Sequence, residues 1–181
     1  MKFYNKHYLT LSLLVFLLII IPAFIFANDT LINKSAPDFK VISGEKEELS
    51  LDSIKNKVTV LFYEAKSAVE QNRKLKNSLN IFYQELPDSI KKDIMRLGVV
   101  DCQGVLFKGI WEKALRDNSK KEGIDLYGDW DGSMRKSYSF SKNQSNIIII
   151  DKRGIVRYYA SGEIKDDGIF RIKELLEGFI K

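Results

Sequence analysis

Histidine and cysteine are almost missing from this chain. Its 181 residues include one histidine, His7, and one cysteine, Cys102. His7 lies in an N-terminal stretch read below as a removable signal, so the remainder from Asn28 onward carries no histidine. That excludes a histidine general base, Ser–His and Cys–His nucleophile pairs, and the usual zinc and copper ligand sets. A lone cysteine excludes an intrachain disulfide and a Cys-x-x-Cys redox pair. No metal and no cofactor is expected. A long basic block is also lacking. Taking Lys2 and Lys6 from the 29 basic residues leaves 27 against 24 acidic ones, and they are interspersed, as in Arg73 to Lys76. Nucleic-acid binders carry a clustered basic face, so nucleic acid is not an expected partner.

The one long apolar run is N-terminal. Lys2 and Lys6 precede Leu9 to Ile21, which is apolar apart from Thr10 and Ser12, and Pro22 breaks it. Ala27 then meets the polar Asn28-Asp29-Thr30. This is the layout of a secretory signal cut after Ala27, which places the rest of the chain in the periplasm. Leu9 to Ala27 would also be just long enough to span as an inner-membrane anchor if it were retained. The expected organisation is a signal over 1–27, a linker over 28–34 and one domain over 35–181.

What is present is organised around Val58 to Leu86. Val58 to Tyr63 is an apolar, β-branched and aromatic run, the mark of a strand buried on both faces. After a turn at 64–67 the period changes, and Leu75, Leu79, Phe82 and Leu86 share one helical stripe. Leu97 to Val100 reads as a second buried strand. A helix follows, expected to turn Leu106, Phe107, Ile110, Trp111 and Ala114 inward and to stop at Gly123. Ile124 to Tyr127 is a weaker strand, Met134 to Phe140 suits a short helix, and 141–146 is a polar loop. Ile147 to Ile150 and Ile155 to Tyr159 form a hairpin around Gly154, and a last helix starts near Lys165. Phe62, Tyr63, Phe82, Tyr83, Trp111 and Phe170 are expected in the core. The order predicts an α/β fold with a mixed central sheet and helices on both faces.

Ala36-Pro37-Asp38-Phe39, the loop Leu49 to Lys57 and the Asp-Lys-x-Gly hairpin after Ile147 resemble the thioredoxin fold in its peroxiredoxin-like form. The chemistry of that fold is not matched. Ala68 and Gln71 stand at the Cys-x-x-Cys positions, and the proline before the hairpin strand falls at about Ser145. Lys66 to Asn72, Val100-Asp101 and Ser145 to Lys152 resemble the YtfJ-like family of exported bacterial proteins, which has this fold without the active-site cysteines. The resemblance implies a redox-inert binding or accessory module of the envelope.

It also implies a groove. In this fold the helix N-terminus, here Lys66, Ser67, Ala68 and Val69, faces the loop before the hairpin strand, here Ser145 and Asn146. Such a groove would take an anionic group or an extended segment of an envelope protein. Cys102 follows a buried strand at a turn that starts a helix, so it could be a partly exposed, reactive thiol. The alternative function is therefore a thiol-dependent oxidoreductase or peroxiredoxin-like enzyme using Cys102. Asp129-Trp130-Asp131-Gly132 opens like a calcium loop but fails the spacing, with Met134 and Phe140 in place of the required Gly and Glu, and reads as a turn.

Overall fold

The computed structural model describes residues 31–180, so the signal reading lies outside the described residues. Seven strands form one sheet: β1 (Lys40–Ser43), β2 (Glu48–Ser50), β3 (Val58–Glu64), β4 (Ile94–Asp101), β5 (Asp125–Asp129), β6 (Ser145–Ile150) and β7 (Val156–Ser161). Their spatial order is β2-β1-β5-β4-β3-β6-β7. β3, β4 and β5 run parallel, joined through helices, while β1, β6 and β7 pair antiparallel. β3 sits between β4 and β6, which is why all seven of its residues are buried and why it is written mostly in apolar, β-branched and aromatic residues, with Thr59 and the terminal Glu64 the polar exceptions.

Helices α1 (Arg73–Glu85), α3 (Lys108–Glu122) and α5 (Asp166–Ile180) cover one face. The single turn α2 (Asp88–Lys91) leads back into β4. On this side Leu75, Leu79 and Phe82 of α1 and Ile169, Ile172 and Leu176 of α5 pack on Val58, Val60, Phe62, Ile147 and Ile149. Full burial of each large apolar side chain is worth roughly 1.5–3 kcal/mol. The opposite face carries the short helix α4 (Ser133–Ser137) and the leading segment from Leu31. There Phe140 stacks on Tyr63 at 4.7 Å and on Tyr138 at 5.1 Å. The packed domain begins early: Leu31 and Ile32 touch this core, and Ser35 bridges Ile155.

The β6–β7 turn is set by one carboxylate. Asp151 Oδ1 accepts the N–H groups of Arg153 (2.9 Å) and Ile155 (3.0 Å), with Gly154 at φ +77°. Gly123 ends α3 in the left-handed region as expected, its N–H returning to Ser119 O. No described helix is long and apolar enough to cross a membrane.

Three expectations are corrected. β6 starts at Ser145, so Ser145 and Asn146 belong to the sheet and the loop ends at Gln144. Leu106, Phe107 and Ile110 do not face inward; they are 75%, 77% and 68% exposed, and Leu115 is the buried residue of α3. Leu106 and Phe107 lie ahead of α3, Phe107 at φ 57°, so no helical stripe extends to them, and α3 itself contacts mainly β5 and β1. Phe170 is likewise 62% exposed, because Ile169 and Ile172 already fill the inner side of α5.

Candidate functional site

The carboxyl end of β3 is where this architecture presents chemistry. β3 ends on Glu64, which alternation places on the same face as Val58, Val60 and Phe62. A carboxylate there needs partners. Lys76, in the first turn of α1, donates to Glu64 Oε2 at 2.6 Å and to Val69 O at 2.8 Å. Ser145 Oγ donates to Glu64 Oε1 at 2.6 Å, from the position directly opposite in β6. Burial outweighs these contacts and holds the Glu64 pKa above the ordinary carboxylate value, with Lys76 the main opposing influence.

The helix expected to start at Lys66 does not. Lys66–Ala68 is one turn of 3-10 helix, and α1 begins only at Arg73. The cause is Asn72. Its buried side chain donates to Gly162 O (2.8 Å) and accepts from Ile164 N (2.8 Å), tying the chain to the leader of α5 instead of to helix N–H groups. The apolar stripe begins at Leu75 and gives the helix no reason to start sooner. Lys66 and Ser67 are exposed, Ala68 is buried and Val69 half-buried.

Ser145 and Asn146 are fully buried and their hydrogen bonds are spent internally. The Ser145 N–H donates to Gln71 Oε1 at 2.8 Å, while Gln71 Nε2 donates to Gln144 Oε1 at 2.8 Å. The backbone donor that an extended guest would use is held by a side chain of the protein itself. Asn146 Nδ2 faces the carbonyls of Ser141 (3.0 Å), Tyr63 (3.2 Å) and Gln144 (3.3 Å). Its Oδ1 accepts from Ser141 N (2.9 Å) and Tyr159 OH (3.2 Å).

Cys102 lies on β4's exit, 1% exposed. Burial pushes its thiol up to about 12, and Asp101 and Asp129 add to the rise. These surroundings are the reverse of those that activate a thiolate, which are electropositive and open. Asp129 is itself fully buried, accepting from Tyr63 OH (2.9 Å) and Arg135 N (3.1 Å). Asp131 Oδ1 accepts from Ser133 N, so the calcium-like motif is a turn leading into α4.

Beside the Glu64 cluster opens a feature that sequence reasoning missed: a cleft of about 410 Å³ between α1 and α3. Its floor is the row Phe62–Gly98–Leu126 across β3, β4 and β5. Gly98 lacks a side chain where Leu126 leans across, at 2.7 Å from where a Cβ would be. Two contacts bridge the walls. Arg73 donates to Glu122 Oε2 at 2.8 Å, and the Lys66 ammonium lies 5.4 Å from the Trp111 ring centre. The exposed Ile110 stands on the rim. Phe107, which precedes α3, has φ 57°, a conformation that costs a bulky residue roughly 1–3 kcal/mol. A glycine inside a strand, which signals a close approach, was the one available clue.

Of the six groove residues, then, Lys66 and Val69 line this cleft, and Ser145 and Asn146 sit inside the sheet beyond the Glu64–Lys76 pair.

No protein-family model matches the chain, and no curated protein matches it in sequence. Solved structures do match. The thioredoxin domain of a thiol-disulfide oxidoreductase from Bacteroides vulgatus is 19% identical, with a TM-score of 0.59 over 83% of this chain and 98% of that one. Thiol peroxidase from Chromobacterium violaceum is 16% identical, with a TM-score of 0.60 over 81% and 87%. An exposed lipoprotein thioredoxin from Streptococcus pneumoniae is 18% identical, with a TM-score of 0.57 over 77% and 99%. The likeness establishes the thioredoxin fold.

Proposed function

We propose that this chain is an exported, redox-inert thioredoxin-fold module of the bacterial envelope that binds and does not react. The observation that carries the reading is the occupancy of the reactive end of the fold. The resemblance gives the paired-thiol positions to Ala68, which is buried, and to Gln71, which is bonded to Gln144 and Ser145. Ser145 links Gln71 to the Glu64–Lys76 pair, and the one sulfur is buried among carboxylates. Binding is assigned to the side of the expected groove that keeps accessible surface, Lys66 and Val69, where it continues into the α1–α3 cleft.

Alkylation of Cys102 tests this reading. A thiol near 12 is about a thousandfold less ionised at pH 7 than one at 9.0. Labelling of the folded protein is therefore expected to be at least about a thousandfold slower than after unfolding. Fast labelling in the folded state would favour the thiol enzyme, and peroxide turnover lost in Cys102→Ser would establish it.

Export is proposed from the N-terminal layout. Mass spectrometry of the protein recovered from an exporting host is expected to find Asn28 as the first residue. A species retaining residues 1–27 and sedimenting with membranes would establish the anchor.

A further inference from the structure

We infer that the cleft between α1 and α3 binds an anionic amphiphile, a hydrocarbon tail seated in the cleft with its acidic head at Lys66. The inference rests on the binding reading above and gives it a ligand class.

The tail follows from the lining and the size. Val69, Trp111, Ala114, Leu115 and Leu126 face the space, with Leu126 lying over Gly98 in its floor. The volume of about 410 Å³ falls within the roughly 300–1,000 Å³ of small-ligand pockets. The apolar lining continues outward. Ile110 stands on the rim, Leu106 and Phe107 lie exposed just before it in the chain, and Phe107 is held in the left-handed region at φ 57°.

A peptide main chain does not fit the same space. The floor strands β3, β4 and β5 are each paired on both sides, so no strand edge faces the cleft. A peptide lying there would bury amides with no ladder to join, and unpaired buried amides are costly. A hydrocarbon chain carries no such groups.

The head follows from charge. Arg73, Lys76 and Lys66 line the cleft together with Glu64 and Glu122. Lys76 pairs with Glu64, and Arg73 with both Glu122 and Glu70, which leaves Lys66 as the lining cation without an ion pair among the described residues. Its ammonium has no acidic partner among the described residues and is held over Trp111 at the surface, where a head group would emerge.

The test titrates the chain, produced with its own N-terminus by an exporting host, with decanoate below its micellar concentration. Calorimetry and tryptophan emission are the readouts. Decanoate is expected to bind saturably at one site, acetate not at all, and decyltrimethylammonium about tenfold more weakly than decanoate. Lys66→Gln should weaken decanoate about threefold to fivefold and largely close the gap to the cation. Ala114→Phe, which fills the cleft, should weaken decanoate at least tenfold. Val69→Trp blocks the opposite wall and serves the same purpose should Ala114→Phe melt early. Equal affinity for the cation, or an unchanged gap in Lys66→Gln, overturns the anionic head. Undiminished binding to both cleft variants overturns the location. Saturable binding of an apolar, end-capped peptide without binding of decanoate overturns the ligand class in favour of a peptide. None of these results bears on Cys102 labelling, which decides the redox-inert reading separately.

Discussion

Lys76→Met is expected to lower stability by about 3 kcal/mol at pH 7, or roughly 6–12 °C in melting temperature for a domain of this size. Removing the ammonium leaves the Glu64 carboxylate under α1 with only the Ser145 hydroxyl 2.6 Å away. Breaking one side of a buried pair costs far more than the pair contributes, because the surviving charge keeps its desolvation penalty. Both side chains retain a little solvent, 17% for Lys76 and 9% for Glu64, which puts the figure at the lower end of that range. The pH dependence gives the mechanism a signature. Burial holds the folded pKa of Glu64 above its unfolded value, so its contribution to stability is full below the ordinary carboxylate range and is lost as pH rises through the folded value. Without Lys76 that folded value climbs further. The deficit of Lys76→Met should therefore be small at pH 4 and grow toward pH 7, and Glu64→Gln in the same chain should recover most of it. Denaturant melts at the two pH values measure this. An equal deficit at both would place the damage in the lost packing over Phe62, 5.3 Å from the ammonium, instead of in the charge.

Asn146→Ala should cost a similar amount, about 3 kcal/mol, and should act on a different part of the site. The amide is fully buried and answers the Ser141 N–H, the Tyr159 hydroxyl and the facing carbonyls. Truncation leaves those groups without water or partner, at roughly 1–3 kcal/mol for each one left unpaired and less where the backbone relaxes. It also releases the loop before β6 from the sheet, so protease nicking within residues 141–144 should appear in the variant under native conditions. Asn146→Asp should be at least as damaging at neutral pH, since a carboxylate cannot donate to the three carbonyls. A variant that melts within 1 kcal/mol of the parent and resists protease would mean that the strand pairing alone, Tyr63 with Asn146, holds the loop.

The two variants probe the part of the protein that was hardest to read in advance. Ser145 and Asn146 are polar residues after a polar loop, and no local rule puts them in a strand. They join β6 because Glu64 and Tyr63 lie opposite and because Gln71, far away in sequence, supplies the acceptor for Ser145. Glu64 at the end of an apolar run looked like the first residue of a turn, when it is the last residue of β3 and pairs with Lys76 one helix away. Cys102 sits at the turn its neighbours suggest, yet its burial depends on Asp129 and the packing of β5 beside it.

By itself the sequence determined the α/β class, the buried central strand, the inner stripe of α1, the hairpin at Gly154 and the absence of a paired thiol. Each depends on local periodicity, on a turn residue or on a simple count. Only the tertiary structure decided that Ser145 and Asn146 are buried within the sheet. It alone showed that the sulfur is inaccessible, that Leu106, Phe107 and Ile110 face solvent, and that a cleft opens between α1 and α3. Periodicity fixes which side chains share a face of an element. How far two such faces stand apart depends on residues distant in the chain, here Gly98 in the floor and the Arg73–Glu122 bridge between the walls.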